Sequence, residues 1–158
     1  MVRDAVLATA ALALVTVSLP LYVKGALIVL NAEYVSWDVL TRHLRYIGAG
    51  LVCTTVPVVT WMGPRLFDQF GGLAALHAFL GLQAYAMLLF ALTGIVRIFQ
   101  VKREAEMYRD PDPDADISDL HPDIDAWRGR LRVGVFGYVA FWVLAYVVGV
   151  VRFVVRYV

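Results

Sequence analysis

The chain has 158 residues, of which 61% are hydrophobic and 17% charged, with a net charge of +1 and a mean hydropathy of +0.71. Soluble domains are about 45–50% apolar and about 25% charged, and a chain this short leaves roughly a third of its surface outside the fold. Such a composition excludes a disordered chain and a disulfide scaffold, excludes a soluble nucleic-acid binder, and requires lipid as part of the solvent.

Four apolar segments follow one another, and the reading is an all-α, polytopic membrane protein, a four-transmembrane-helix bundle forming one domain over residues 1–158. The helices are expected at about residues 5–30, 37–62, 73–99 and 130–156, with one long acidic, hydrophilic loop at about 100–129. A bilayer core of about 30 Å needs roughly 20 helical residues, and backbone groups in lipid must bond within their own helix. Segment one has Arg3 ahead of an apolar run, as a signal peptide does. The run is too long for an h-region of 7–15 residues and no A-x-A site closes it, so it reads as a mature helix. Pro20 and Pro57 fall inside apolar runs and are expected to kink helices one and two. Gly63-Pro64 and Gly71-Gly72 separate helices two and three, and Pro111, Pro113 and Pro122 punctuate the acidic loop.

The connections after helices one and three carry ten basic residues against four on the other side. The positive-inside rule therefore puts the long loop in the cytoplasm and both termini outside a multi-pass cell-membrane protein.

Histidine is the commonest haem or metal ligand in a helical membrane protein, which makes His43, His77 and His121 the first candidates. Helix two separates the levels of His43 and His77 by roughly 28 Å, so one haem cannot join them. The pairs left are His43 with His121 on the cytoplasmic side and His77 with Met62 on the outer side, His121 being loosely placed in a Pro-bounded loop. Haem b is the cofactor weighed, against no cofactor at all, with Arg42 and Arg45 as partners for its propionates or for anionic lipid. The plain alternative makes His77 a core histidine on a backbone carbonyl, and has Lys24, Arg97 and Arg152 snorkel to the interface. Glycines at 48, 50, 81, 94, 134, 137 and 149 serve either packing within the bundle or docking on a larger complex.

The Asp112, Asp114, Asp116 run lacks the glycine and the bidentate glutamate of a calcium loop, and reads as a solvated or partner-binding loop. Cys53 stands alone, so neither a disulfide nor a cysteine metal site is expected. No P-loop, His-Glu-x-x-His or Gly-x-Ser-x-Gly motif occurs, so independent catalysis is not expected.

Of fourteen basic residues only Lys24 and Lys102 are lysine, leaving twelve arginines, and nine of thirteen acids lie between Glu104 and Asp125. This bias resembles proteins of salt-loving archaea. The motifs Arg42-His43-Leu44-Arg45, Leu76-His77-Ala78-Phe79-Leu80-Gly81 and His121 followed by Trp127-Arg128 resemble small four-helix haloarchaeal membrane proteins of unknown function. Those proteins are found among genes for cytochrome bc-type complexes. The chain is more distantly similar to four-helix proteins that assist assembly of haem-copper oxidases.

The resemblance implies a membrane subunit or assembly partner of a respiratory electron-transfer complex, packed on a cytochrome b-like or oxidase core. Two alternatives stand beside it: a stand-alone haem- or quinone-reactive electron carrier, and a homo-oligomeric channel or transporter.

Overall fold

The computed structural model describes residues 2–66, 71–110, 112 and 116–158, and they are all-α. Helix α1 spans Val2–Leu30 and α2 spans Trp37–Pro57, running on into a π-helical turn at Val58–Met62. Helix α3 spans Gly72–Glu104, a 3-10 turn occupies Ile117–Leu120, and α4 spans Ile124–Tyr157. Four stretches, Arg3–Leu30, Trp37–Met62, Gly72–Glu104 and Ile124–Tyr157, are each long and apolar enough to cross a bilayer. The protein is thus built as a multi-pass membrane protein.

The two internal prolines behave differently. Pro20 sits within continuous α-helix. Pro57 ends the α-helical register of α2, because it has no N–H for the fourth residue back and its ring crowds that carbonyl. The next turn widens to five-residue bonds, shown by Gly63 N–H donating to the Val58 carbonyl at 2.6 Å. Gly71 and Gly72 open α3 at φ of 152° and 49°, a region that side chains resist.

Both helices bordering the acidic loop are longer than their apolar runs. Helix α3 continues five residues past Phe99, with Lys102 and Arg103 in a last turn where cations complement the helix dipole. It closes with Met107 N–H on the Lys102 carbonyl and Glu106 N–H on that of Arg103. This is a Schellman cap with Glu106, at φ 55°, where glycine is usual. Met107 and Tyr108 then fold inward, and the Trp37 N–H donates to the Tyr108 carbonyl at 3.0 Å. The Trp37, Phe99 and Tyr108 rings cluster, with centroids 5.4 to 6.3 Å apart. Burial pushes the Tyr108 phenol above its ordinary pKa.

Helix α4 begins at Ile124, before the expected residue 130, because Pro122 precedes its first turn and Ile124 is fully buried. Ahead of it, the Asp116 carboxylate caps the 3-10 turn by accepting from the Ser118 N–H, and that bond lowers its pKa. Pro111, Pro113 and Asp114 of the loop reading lie outside the described residues.

The fold divides into two compact units. The first comprises Met1–Ala32, Asp38–Ala78 and Ala145–Val158; the second comprises Glu33–Trp37 and Phe79–Leu144.

In the first unit α1 and α2 run antiparallel along a polar seam. Tyr22 Oη lies 2.9 Å from Thr54 Oγ1, whose hydroxyl faces the Gly50 and Leu51 carbonyls at 3.1 and 3.0 Å. The Tyr22 ring lies against Gly50, where a Cβ would meet it at 2.7 Å. Ser18, fully buried, returns its hydroxyl to the Val15 carbonyl. Asp4 and Arg65 form an ion pair at 2.7 Å, tying the start of α1 to the chain after the π turn.

In the second unit α3 and α4 meet through small residues. A Cβ on Gly134 would stand 2.6 Å from the Ala91 backbone nitrogen, Gly94 faces the Trp127 carbonyl, and Gly137 faces Met87. Ala84 and Ala91 are buried on the same face of α3. Without a hydrophobic gain from bringing helices together in lipid, such close approach is what holds them.

Three substitutions follow. Gly134→Ala is expected to destabilise by about 1–3 kcal/mol, because the Ala91 backbone cannot yield. Gly129→Ala, whose Cβ would meet nothing within 4 Å, serves as the mild control. Thermal unfolding in detergent reads both, and equal Tm values for the two variants would contradict the seam. Glu106→Gly is expected to stabilise by about 1 kcal/mol by relieving the left-handed backbone.

Candidate functional site

Each histidine has one ring nitrogen held by an identifiable partner, and the chemistry of that partner fixes where the proton lies. His43 is the seventh residue of α2, about two turns in, on the face that meets α1 and in line with Ile47, Gly50 and Thr54. Its Nδ1 lies 2.8 Å from the Gly25 carbonyl oxygen. A carbonyl only accepts, so Nδ1 carries the proton and the neutral ring keeps its lone pair on Nε2. A ligating histidine has this arrangement, the outer nitrogen donating to a carbonyl while the inner one is left basic.

His77 is the reverse case. Its Nδ1 lies 3.0 Å from Nη1 of Arg152 on α4, and a guanidinium only donates, so Nδ1 accepts and the proton sits on Nε2. The ring rests against Gly149, where a Cβ would stand 3.2 Å from both Cε1 and Nε2. His77 is therefore bonded to a cation, not to a backbone carbonyl, and Arg152 turns toward that ring, which simple snorkelling does not require. With Nδ1 accepting and Nε2 protonated, neither nitrogen offers a lone pair to iron while the Arg152 bond stands.

His121 is better fixed than its Pro-bounded setting implies. Its ring stacks on Trp127 with centroids 4.5 Å apart, and its Nδ1 accepts from the Asp123 N–H at 3.1 Å. That nitrogen is engaged too. His121 belongs to the second unit, whereas His43, His77, Met62, Arg42 and Arg45 belong to the first.

Met62 ends the π turn, next to Trp61. Trp61 Nε1 is buried with no hydrogen-bond partner among the described residues, and the Arg65 guanidinium lies 5.2 Å from its ring. Arg42 pairs with Asp38 at 3.1 Å on an exposed face, which contributes at most about 0.5 kcal/mol. Arg45 is exposed and, two residues on from His43, stands about 160° around the helix from it. Of the two arginines, Arg42 is nearer the His43 face.

Among the described residues no group of three His, Cys, Asp or Glu side chains forms a metal site.

The sequence matches the family described as Domain of unknown function (DUF7321) over residues 4–158, nearly its whole length. The chain belongs to this family. No curated protein and no solved structure matches it. DUF7321 membership therefore fixes kinship without assigning an activity, and the chemistry rests on the side chains.

Two pairings escaped the sequence. The His77–Arg152 bond joins residues 75 positions apart, and the Gly25 carbonyl is invisible to any side-chain motif. The available signal was the run of His43, Ile47, Gly50 and Thr54 at helical spacing, which marks one face of α2.

The tautomers are directly testable. Nitrogen-15 chemical shifts of labelled histidine are expected to show His43 protonated at Nδ1 and His77 at Nε2. Replacing Arg152 with Gln should change the His77 shifts and leave those of His43 in place. The same tautomer at both residues would contradict the assignment.

Proposed function

We propose that this DUF7321 protein is an integral-membrane subunit or assembly partner of a respiratory electron-transfer complex, of cytochrome bc or haem-copper oxidase type. The observation that carries the reading is glycine left open on the outside of spanning helices, beside apolar faces that lipid alone would also satisfy. Only 6% of the most apolar window of α4 and 22% of that of α3 are buried within the protein. Large side chains such as Phe79, Leu82, Leu89, Phe136 and Val155 lie on the outside. Gly48 and Gly81 open onto free space, where another helix can approach closely. These features support a part that seats among other membrane helices, and the likeness to proteins encoded near cytochrome bc-type complexes supplies the class of partner. In this reading the connection between α3 and α4 is cytoplasmic and both termini are outside, supported by the ten basic residues against four.

A second reading is favoured by His43. Its free lone pair suits an axial haem ligand, and haem b bound there would supply one-electron redox chemistry. The chain's own contribution is specific. The Gly25 carbonyl orients the imidazole, and Arg42 offers a guanidinium for a propionate.

The experiment separates the two readings. The chain expressed alone in a haem-replete host is purified in mild detergent at high salt, and its reduced-minus-oxidised absorption spectrum is recorded. A flat spectrum is the result expected of a subunit that borrows its redox chemistry from its partners. A sharp α-band that disappears in His43→Leu, with the fold retained, would make the protein a cytochrome in its own right.

A further inference from the structure

The crossing of α1 and α2 holds a cation that the reading above does not use. Gly25 is buried there, with its carbonyl 2.8 Å from His43 Nδ1. A Cβ on Gly25 would stand 2.8 Å from Ile47 Cδ1 and 3.3 Å from Tyr46 Cβ, so the two helices are fixed against each other one residue away from Lys24. That contact seats the exposed Lys24 side chain across α2, with Nζ 4.7 Å from the centroid of the Tyr46 ring. Among the described residues no carboxylate, carbonyl or hydroxyl meets this ammonium, whereas Arg42 has Asp38 and Arg65 has Asp4. Lys24 stands about 9 Å along α1 from its last residue, Leu30. At 29 residues α1 is about 43 Å long against a hydrocarbon core of about 30 Å, so Lys24 lies near the boundary where lipid phosphates begin. Snorkelling alone would lead the stem outward along α1, but the Lys24 ammonium is held sideways on a ring of the next helix.

We propose that Lys24, seated on the Tyr46 ring, binds the phosphate of an anionic membrane lipid at the crossing of α1 and α2. An ammonium has three N–H donors and no acceptor, and a ring face attracts its charge without supplying an acceptor oxygen. Phosphate oxygens supply what the ring cannot, and the ring holds the ammonium where they reach it. A cation without a carboxylate partner is neutralised by a net-negative lipid, whereas a zwitterionic lipid brings an ammonium of its own that competes for the phosphate. The site requires neither haem nor a respiratory partner.

Native mass spectrometry of the full chain, released from a neutral detergent, tests this with three probes at equal concentration. They are phosphatidylglycerol, phosphatidylcholine with the same acyl chains, and inorganic phosphate. Phosphatidylglycerol is expected to bind in preference to phosphatidylcholine. Lys24→Gln should weaken that binding about five-fold. Arg130→Gln, which removes the same charge from an exposed position on α4, should leave it in place. Tyr46→Phe, which keeps the ring face, should retain the binding, and Tyr46→Leu should lose part of it. Thermal unfolding checks that each variant folds. Equal retention of the two lipids, or equal losses in Lys24→Gln and Arg130→Gln, would overturn the proposal. Binding undiminished in Tyr46→Leu would remove the ring from the site and contradict the seat. Binding of inorganic phosphate without preference for phosphatidylglycerol would assign Lys24 to a free anion and refute the lipid assignment.

Discussion

Helices in a bilayer gain nothing from hiding apolar surface against one another, since lipid is as apolar as leucine. They are held by close backbone approach and by hydrogen bonds that have no water to compete with them. The pairings in this protein follow from that constraint. Gly134 sits on the Ala91 backbone, Gly50 admits the Tyr22 ring, and Tyr22, Thr54 and the Gly50 carbonyl form one short chain of hydrogen bonds. Glycine, alanine and hydroxyl-bearing residues recur in these seams, while many valine, leucine and phenylalanine side chains lie on the outer faces. The usual order of a soluble core is inverted.

The same scarcity of partners decides the chemistry of the histidines. In water an imidazole exchanges tautomers freely. Here His43 meets a carbonyl and His77 a guanidinium, and the two rings are driven to opposite tautomers. One keeps a basic nitrogen available to a metal. The other becomes a donor beside a cation. The two residues share a type and a helical setting, yet their partners give them different work.

Much of the architecture was legible in the sequence. Hydropathy located four spanning helices, and the start of α2 and the end of its π turn fall at the expected residues 37 and 62. The ends of α3 and α4 that border the loop were not legible, because apolarity reports the bilayer, not the helix. Residues 100–104 and 124–129 are polar and still helical, being ordinary helix formers with suitable caps. The Schellman cap was hidden because Glu106 occupies a position where glycine would have announced it. At the candidate site, residue type singled out His43 and His77. It could not tell them apart, since the distinction lies in a backbone carbonyl of α1 and an arginine of α4.

The central proposal is that the chain contributes helices to a larger redox assembly. The most direct measurement is to isolate the protein, with its neighbours, from its native membranes in mild detergent at high salt, and to record a reduced-minus-oxidised spectrum of the intact particle. The account predicts a particle well above the mass of the 17.6 kDa chain, with cytochrome absorbance that stays with the protein through successive separations. A particle holding only copies of this chain, with a flat spectrum, would contradict it.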